Sequence, residues 1–338
     1  MSDVAVAGSR VAWRARLGTQ TLAAEQPRDA TRALQLALGG IWLLDGVLQY
    51  QPFMFTKAFG QMIAGTAVGN PAVIARPITW NATLVEHHAV LLNTLFATIQ
   101  LLLGLGIAFR PTVRLALAAS VAWSLGVWWF GEGLGGMLAG TASPVNGAPG
   151  AVILYALLAV LLWPSGARAG TAPFVAAQAV GARAARALWL VLWLSLAWFA
   201  VTPANRAPQA LHDMIAGMAD GERGWLAAVE RNAAALVAGQ GLAASIVLAA
   251  ALALIAVGVY LPRPAARATV VLAMVVAAVI WVVGEAFGMI LAGGATDPNS
   301  GLLLILLALA YWPSALVTAR AAPTAPPAGP DAREGKAA

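Results

Sequence analysis

Eight long apolar stretches dominate this chain, at 33–50, 88–109, 112–131, 149–163, 185–201, 241–260, 268–289 and 300–314. A helix advances about 1.5 Å per residue and needs about 20 apolar residues to cross roughly 30 Å of hydrocarbon. The expected fold class is therefore an all-α polytopic membrane protein with about eight transmembrane helices. Composition agrees, since 60% of the residues are hydrophobic and only 10% charged, where a soluble domain carries about 25% charge. The fourth and eighth stretches are the shortest and end at Trp163-Pro164 and Trp312-Pro313.

Basic residues set the expected orientation. Lys57, Arg76, Arg206, Arg223 and Arg231 fall on one side of the predicted spans, and the rest of the 20 lysines and arginines fall on the other. Positive charge collects on the cytoplasmic side. Both termini are thus placed in the cytoplasm, and the protein is expected to be multi-pass in the cell (inner or plasma) membrane. The net charge of +6 then reflects topology and contact with anionic headgroups of the lipid bilayer, and no nucleic acid is expected as a partner. Residues 1–30 lack the apolar core of a cleavable signal peptide and read as a cytoplasmic segment. Residues 319–338 are Ala/Pro-rich and are expected to be disordered. With no cysteine in the chain, disulfides and thiolate chemistry are excluded.

The chain also repeats itself. The pattern W-x-x-G-E-x-x-G-x-x-L-A-G occurs at 128–140 and again at 281–293, matching Trp128 and Glu132 with Trp281 and Glu285. QMIAGTA at 61–67 returns as DMIAGMA at 213–219, FRP at 109–111 as PRP at 262–264, and WPS at 163–165 again at 312–314. Two four-helix units are expected, 31–165 and 185–318, joined by a cytoplasmic linker at 166–184. An even number of spans per unit makes the repeats parallel, related by a rotation about the membrane normal.

Each half, through RALQLALGGIWLLDGVLQ (32–49) and FATIQLLLGLGIAFRPTVRLALAAS (96–120), resembles the four-helix DoxX/DoxD-type membrane proteins. The resemblance covers about 130 residues per half. It implies a four-helix bundle and a link to quinone-dependent oxidoreductase subunits. Where many such proteins carry a basic residue near the end of the first helix, this chain has Asp45 and Gln49.

Polar residues inside the spans point to function, because ionisable groups in a membrane are costly and tend to serve a purpose. Glu86, Asn93 and Gln100 recur every seven residues, with His87, Thr94 and Thr98 on the neighbouring stripe. Asp45 lies in the first span, while the corresponding second-half positions Ala197, Ile246 and Ala253 are apolar. An outward-facing pocket in the first bundle is expected, lined by Asp45, Gln49, Glu86, His87, Asn93, Gln100, Trp128 and Glu132 and lidded by the 51–86 segment. Trp281 and Glu285 are the repeat equivalents of the last pair. A plainer reading stands beside it: the two glutamates cap glycine-rich backbone, and the other polar groups tie helices together.

Three function classes follow. In the first, the pocket binds a quinone or another lipid-soluble molecule as a redox-linked accessory subunit. No haem, flavin or iron–sulfur motif is present, so electrons come from a redox partner protein; a homo-oligomer is the other assembly considered. In the second, the protein carries a small solute or a metal cation such as copper, with Met62, His87, His88, Met137, His212 and Met214 as the ligand set that soft and imidazole donors suggest. In the third, it is a purely structural membrane subunit. No catalytic residue is assigned, and whether the chain is an enzyme stays open.

Overall fold

The structure, a computed structural model, describes residues 30–165 and 172–314. The expected N-terminal segment up to residue 29, residues 166–171 of the linker and the C-terminal tail lie outside the described residues.

All regular structure among the described residues is helical. Helix α1 (30–48) leads to a hairpin of α2 (Lys57–Gly65) and α3 (Ala72–His87). Then come α4 (Ala89–Ala108), α5 (Val113–Phe130) and α6 (Ala151–Leu161). The expected linker contains α7 (Ala176–Val180) and the start of α8 (Ala182–Ala200); a second hairpin of α9 (Ala210–Gly221) and α10 (Gly224–Val237) follows, then α11 (Gly241–Gly258), α12 (Arg263–Val279) and α13 (Asn299–Ala310).

Five helical segments are long and apolar enough to cross a membrane: Ala89–Ala108, Arg110–Phe130, Ala182–Ala200, Gly241–Gly258 and Arg263–Gly284. Helices α6 and α13 are apolar but have 11 and 12 residues, so each advances only about 16–18 Å. Helix α1 is apolar for most of its length but carries Arg32, Gln35 and Asp45.

Small residues let these helices meet closely. A Cβ on Gly104 of α4 would come within 2.7 Å of the Gly39 carbonyl on α1, so the two backbones are nearly in contact, as membrane helix pairs favour. Around that crossing one apolar core runs through both halves, from Leu38, Trp42, Tyr155 and Leu158 to Trp189, Trp193, Leu303 and Tyr311. Its rings interlock, with centroids 4.3 Å apart for Trp42–Tyr155 and 4.6 Å for Trp189–Tyr311. Buried indole N–H groups need acceptors; Trp42 donates to Ser120 Oγ at 3.0 Å and Trp189 to the Ile255 carbonyl at 2.9 Å.

Arginines close one end of the bundle. Arg32 donates to the Ile107 carbonyl at 2.9 Å and to that of Ala108, Arg114 to Pro164 at 3.4 Å, and Arg263 to Ser314 at 3.0 Å. These carbonyls lie at or just beyond helix C-termini, where unpaired acceptors and the negative end of the macrodipole favour a cation. The segment over 51–86 is not a loop but the α2–α3 hairpin. It has its own core of Met54, Phe59, Ile63, Ile74, Ile78, Ala82 and Val85.

Candidate functional site

Helices α5 and α12 end in the same way. The amide of Glu132 reaches the Val127 carbonyl and that of Glu285 the Ile280 carbonyl, both at 3.0 Å and both five residues back, a widened last turn of the π type. Trp128 then donates to the Pro149 carbonyl and Trp281 to the Pro298 carbonyl, each at 2.7 Å. Glu132 Oε1 accepts from the Val152 amide at 3.2 Å, while Glu285 accepts from the Gly301 amide at 2.9 Å and from the Ser300 hydroxyl. Those amides open α6 and α13, where backbone donors have no intrahelical partner and the dipole favours an anion.

The motif's glycines make this closure possible. Leu134 and Gly135 have φ of 55° and 63°, and Phe287 and Gly288 have 54° and 74°. A Cβ on Gly288 would lie 2.6 Å from the Asp297 carbonyl, and one on Gly135 would overlap that of Pro149. The tryptophan and glutamate thus work as clamps on a short helix. The two clamps differ in one respect: both Glu285 oxygens are bonded, whereas Glu132 Oε2 is buried without a partner.

Glu132 also lines a cavity of about 720 Å³ between α1, the α2–α3 hairpin, α4 and α5. Its wall carries the rings of Trp42, Phe59, Trp80, Phe96, Trp123 and Phe130, together with Asp45, Gln49, Gln100 and Glu132. Four polar atoms of that wall besides Glu132 Oε2 are buried without partners: Asp45 Oδ1, Gln49 Oε1, Gln100 Oε1 and Trp123 Nε1. A smaller void of about 340 Å³ adjoins it on the loop side and shares Thr66, Glu132, Asn146 and Asn299 with it.

The last part of the wall comes from the other half of the chain. Thr296, Asp297 and Asn299 line the first-half cavity, and Gln51 Nε2 holds the Ala295 carbonyl at 3.1 Å. Asp297 is fixed by its own turn, accepting from the Thr296 hydroxyl at 2.8 Å and from the Asn299 amide at 2.7 Å. In return the loop before α6 enters the second half, where Asn205 Nδ2 donates to the Ala142 carbonyl at 2.8 Å and Val145 packs with Ile215 and Ala234. The halves exchange loops.

Of the sequence candidates, Asp45, Gln49, Gln100, Glu132 and Met62 line the cavity. Asn93 stands behind it, donating to the Gln49 carbonyl at 2.6 Å, and Trp128 is occupied by its clamp. Glu86 packs on α3 beside Gly60, while His87 is exposed and bonded to the Thr83 carbonyl at 2.7 Å. The seven-residue spacing of Glu86 with Asn93 fails because the chain breaks at His88, with φ −130° and ψ 36°, which shifts the phase between α3 and α4. Thr94 and Thr98 are exposed and bond back to Val90 and Thr94 of their own helix.

The copper-type candidates sit on separate elements, with Met62 on α2 and lining the cavity. His87 and His88 are exposed, Met137 sits on the turn after Gly136, Met214 lies on α9, and His212 pairs with the adjacent Asp213 at 2.9 Å. Among the described residues no three His, Asp or Glu side chains come together in a metal-binding group. The second half is less apolar than its sequence suggests: Ile246 is 53% exposed, and the interior position belongs to Ser245, bonded to the Asn205 carbonyl at 2.8 Å. Glu222 and Glu230 of the α9–α10 region are also buried. Sequence reasoning missed these two and Asp297. The Asp-Pro-Asn-Ser run at 297–300 marks a turn, but nothing in it shows which half the turn faces. No protein-family model matches the chain, and neither a curated protein nor a solved structure matches it.

Proposed function

We propose that this chain is a multi-pass protein of the cell membrane that holds a lipid-soluble molecule in the cavity beneath α2–α3. The observation that carries this reading is a cavity of about 720 Å³ whose apolar wall contains polar atoms with no protein partner. Ligand pockets span roughly 300–1,000 Å³ and are mostly apolar with a few placed polar groups. Each buried polar atom left unpaired costs about 1–3 kcal/mol, so a ligand that donates hydrogen bonds to Asp45, Gln49, Gln100 and Glu132 meets acceptor atoms that no protein group engages. A quinol, with two hydroxyls on an apolar ring, meets that description. In that role the chain is a redox-linked accessory subunit of DoxX-like helix order, and a partner protein takes part in electron transfer. Its eight segments form two parallel four-helix units with both termini cytoplasmic. The matching clamps at Glu132 and Glu285 support this arrangement.

The test uses the cavity's own tryptophans, Trp42, Trp80 and Trp123. Titration of the detergent-solubilised protein with a decyl-benzoquinol should quench their fluorescence saturably. Asp45→Asn and Gln100→Leu should weaken binding at least about tenfold, a loss of about 1.4 kcal/mol, with an unchanged gel-filtration profile, whereas Ile246→Ala should leave affinity as it is. Absence of saturable quenching in the parent protein sinks the proposal. A carrier is the second reading, favoured by the void that continues the cavity past Glu132 towards the loop side.

A further inference from the structure

Resting on the reading of the cavity as a ligand site, we infer that its ligand is an amphipathic organic cation, and that the arrival of this cation displaces a proton from the cavity's carboxyl groups. Three acidic side chains, Asp45, Glu132 and Asp297, are in the wall, and none of the lining residues is Lys, Arg or His. Asp45 is 1% exposed; the buried Tyr155 hydroxyl lies beside its carboxyl within reach of a hydrogen bond but supplies no counter-charge. A buried carboxylate without a counter-charge is unfavourable, so such a group either binds a proton or meets a cation.

Two further observations define the cation. The three carboxyl groups do not form a metal-binding cluster, so they suit a larger body whose charge is spread or can sit at more than one of them. The wall between them is aromatic, with the indoles of Trp42, Trp80 and Trp123, and the faces of such rings attract cations while their area accommodates apolar groups. A quinol engages the wall carboxyl groups only as hydrogen-bond partners, whereas a cation also supplies the counter-charge that their ionised form needs.

Proton displacement follows from the state of the empty site. Glu132 lies on the loop beyond the span Arg110–Phe130; its carboxyl is pushed up to about 8 by burial first and by the charge of Asp297 second, against the pull of the Val152 and Ala151 amides. Asp297, on the loop before α13, is likewise raised by burial, against its bonds from Thr296 and Asn299. Below pH 8 the empty cavity therefore holds a proton at Glu132 that a cation must expel. Release of one proton makes the affinity rise about tenfold per pH unit up to that value and level off above it.

The experiment is equilibrium dialysis of tetraphenylphosphonium against the detergent-solubilised full chain from pH 6 to 9, with the decyl-benzoquinol titrated in parallel. The expected result is saturable binding whose dissociation constant falls about fiftyfold between pH 6 and 8. Glu132→Gln, which keeps an acceptor for the Val152 amide, should flatten that dependence, and Asp45→Asn should weaken cation binding at least about tenfold. The parent pH series decides the matter even where a variant fails to fold. Saturable quinol binding without cation binding, or cation binding indifferent to pH, overturns the inference and leaves the cavity a site for neutral molecules. Failure of both probes overturns the cavity reading itself.

Discussion

At the scale of single residues, the repeated motif is a device for joining a long helix to a short one. Trp128 and Trp281 hold the carbonyl before the short helix, Glu132 and Glu285 hold its first amides, and Gly135 and Gly288 keep the backbone low enough for both contacts. Gly140 is a useful control, since its φ is +74° but a Cβ there would meet nothing within 4 Å. Gly140→Ala carries only the cost of the left-handed backbone, about 1 kcal/mol. Gly135→Ala adds a collision with the Pro149 carbonyl and should cost clearly more, roughly 2–4 kcal/mol. Thermal unfolding in detergent should therefore show the larger drop for Gly135→Ala; equal drops would mean the loop yields freely. The repeated letters stand out in the sequence because the same clamp needs the same residues twice. The free oxygen of Glu132 was not legible, since it depends on Ser300 having Ala151 in its place in the first half.

Among the elements, the two helical hairpins differ most in what they bury. The α2–α3 hairpin has an apolar core, but α10 points Glu230 inward at 0% exposure with neither carboxylate oxygen bonded. Burial first and Glu222 second, opposed by Arg231, push the Glu230 carboxyl from 4.5 up to about 7. Because the folded state binds the proton more tightly than the unfolded chain, the contribution to stability is fully present below pH 4.5 and is lost as pH rises through about 7. Hydrogen exchange over 210–237, corrected for intrinsic rate, should be faster at pH 8 than at pH 5.5, and Glu230→Gln should erase the difference. A hairpin equally protected at both values would show that Glu230 finds a partner. The helices themselves were largely legible: the window 88–109 becomes Ala89–Ala108 and 241–260 becomes Gly241–Gly258. Their ends were less so: of 149–163 the clamp keeps Pro149 and Gly150 as loop before α6, and both 149–163 and 300–314 run past their helices, which stop at Leu161 and Ala310.

Across the whole molecule, the halves share one apolar core and trade loops, so a change in one half should be felt in the other. Asn205 holds the loop before α6 from the second half without touching the cavity, and its Nδ2 lies within reach of the Ala142 and Phe199 carbonyls, both at 2.8 Å. Asn205→Ala should destabilise the protein by about 1–3 kcal/mol and weaken quinol or cation binding, because the released loop carries Asn146 of the cavity wall. Unchanged binding in a folded Asn205→Ala protein would mean that the loop keeps its place without that anchor. Asp45, Gln49, Gln100 and Glu132 could be chosen from the sequence because each is a polar residue set in apolar surroundings. Asp297 could not, since its place in the wall follows from a crossing between halves that no local pattern encodes. That crossing also imposes an order on biosynthesis. The chain leaves the ribosome with Asp45 and Glu132 long before Thr296, Asp297 and Asn299 exist, and at about 5–20 residues per second the gap after Glu132 lasts roughly 10–30 s. Throughout that interval the nascent first half stands open on one side, so its acids face lipid, water or the insertion machinery, and the site matures only when nearly the last helix has arrived.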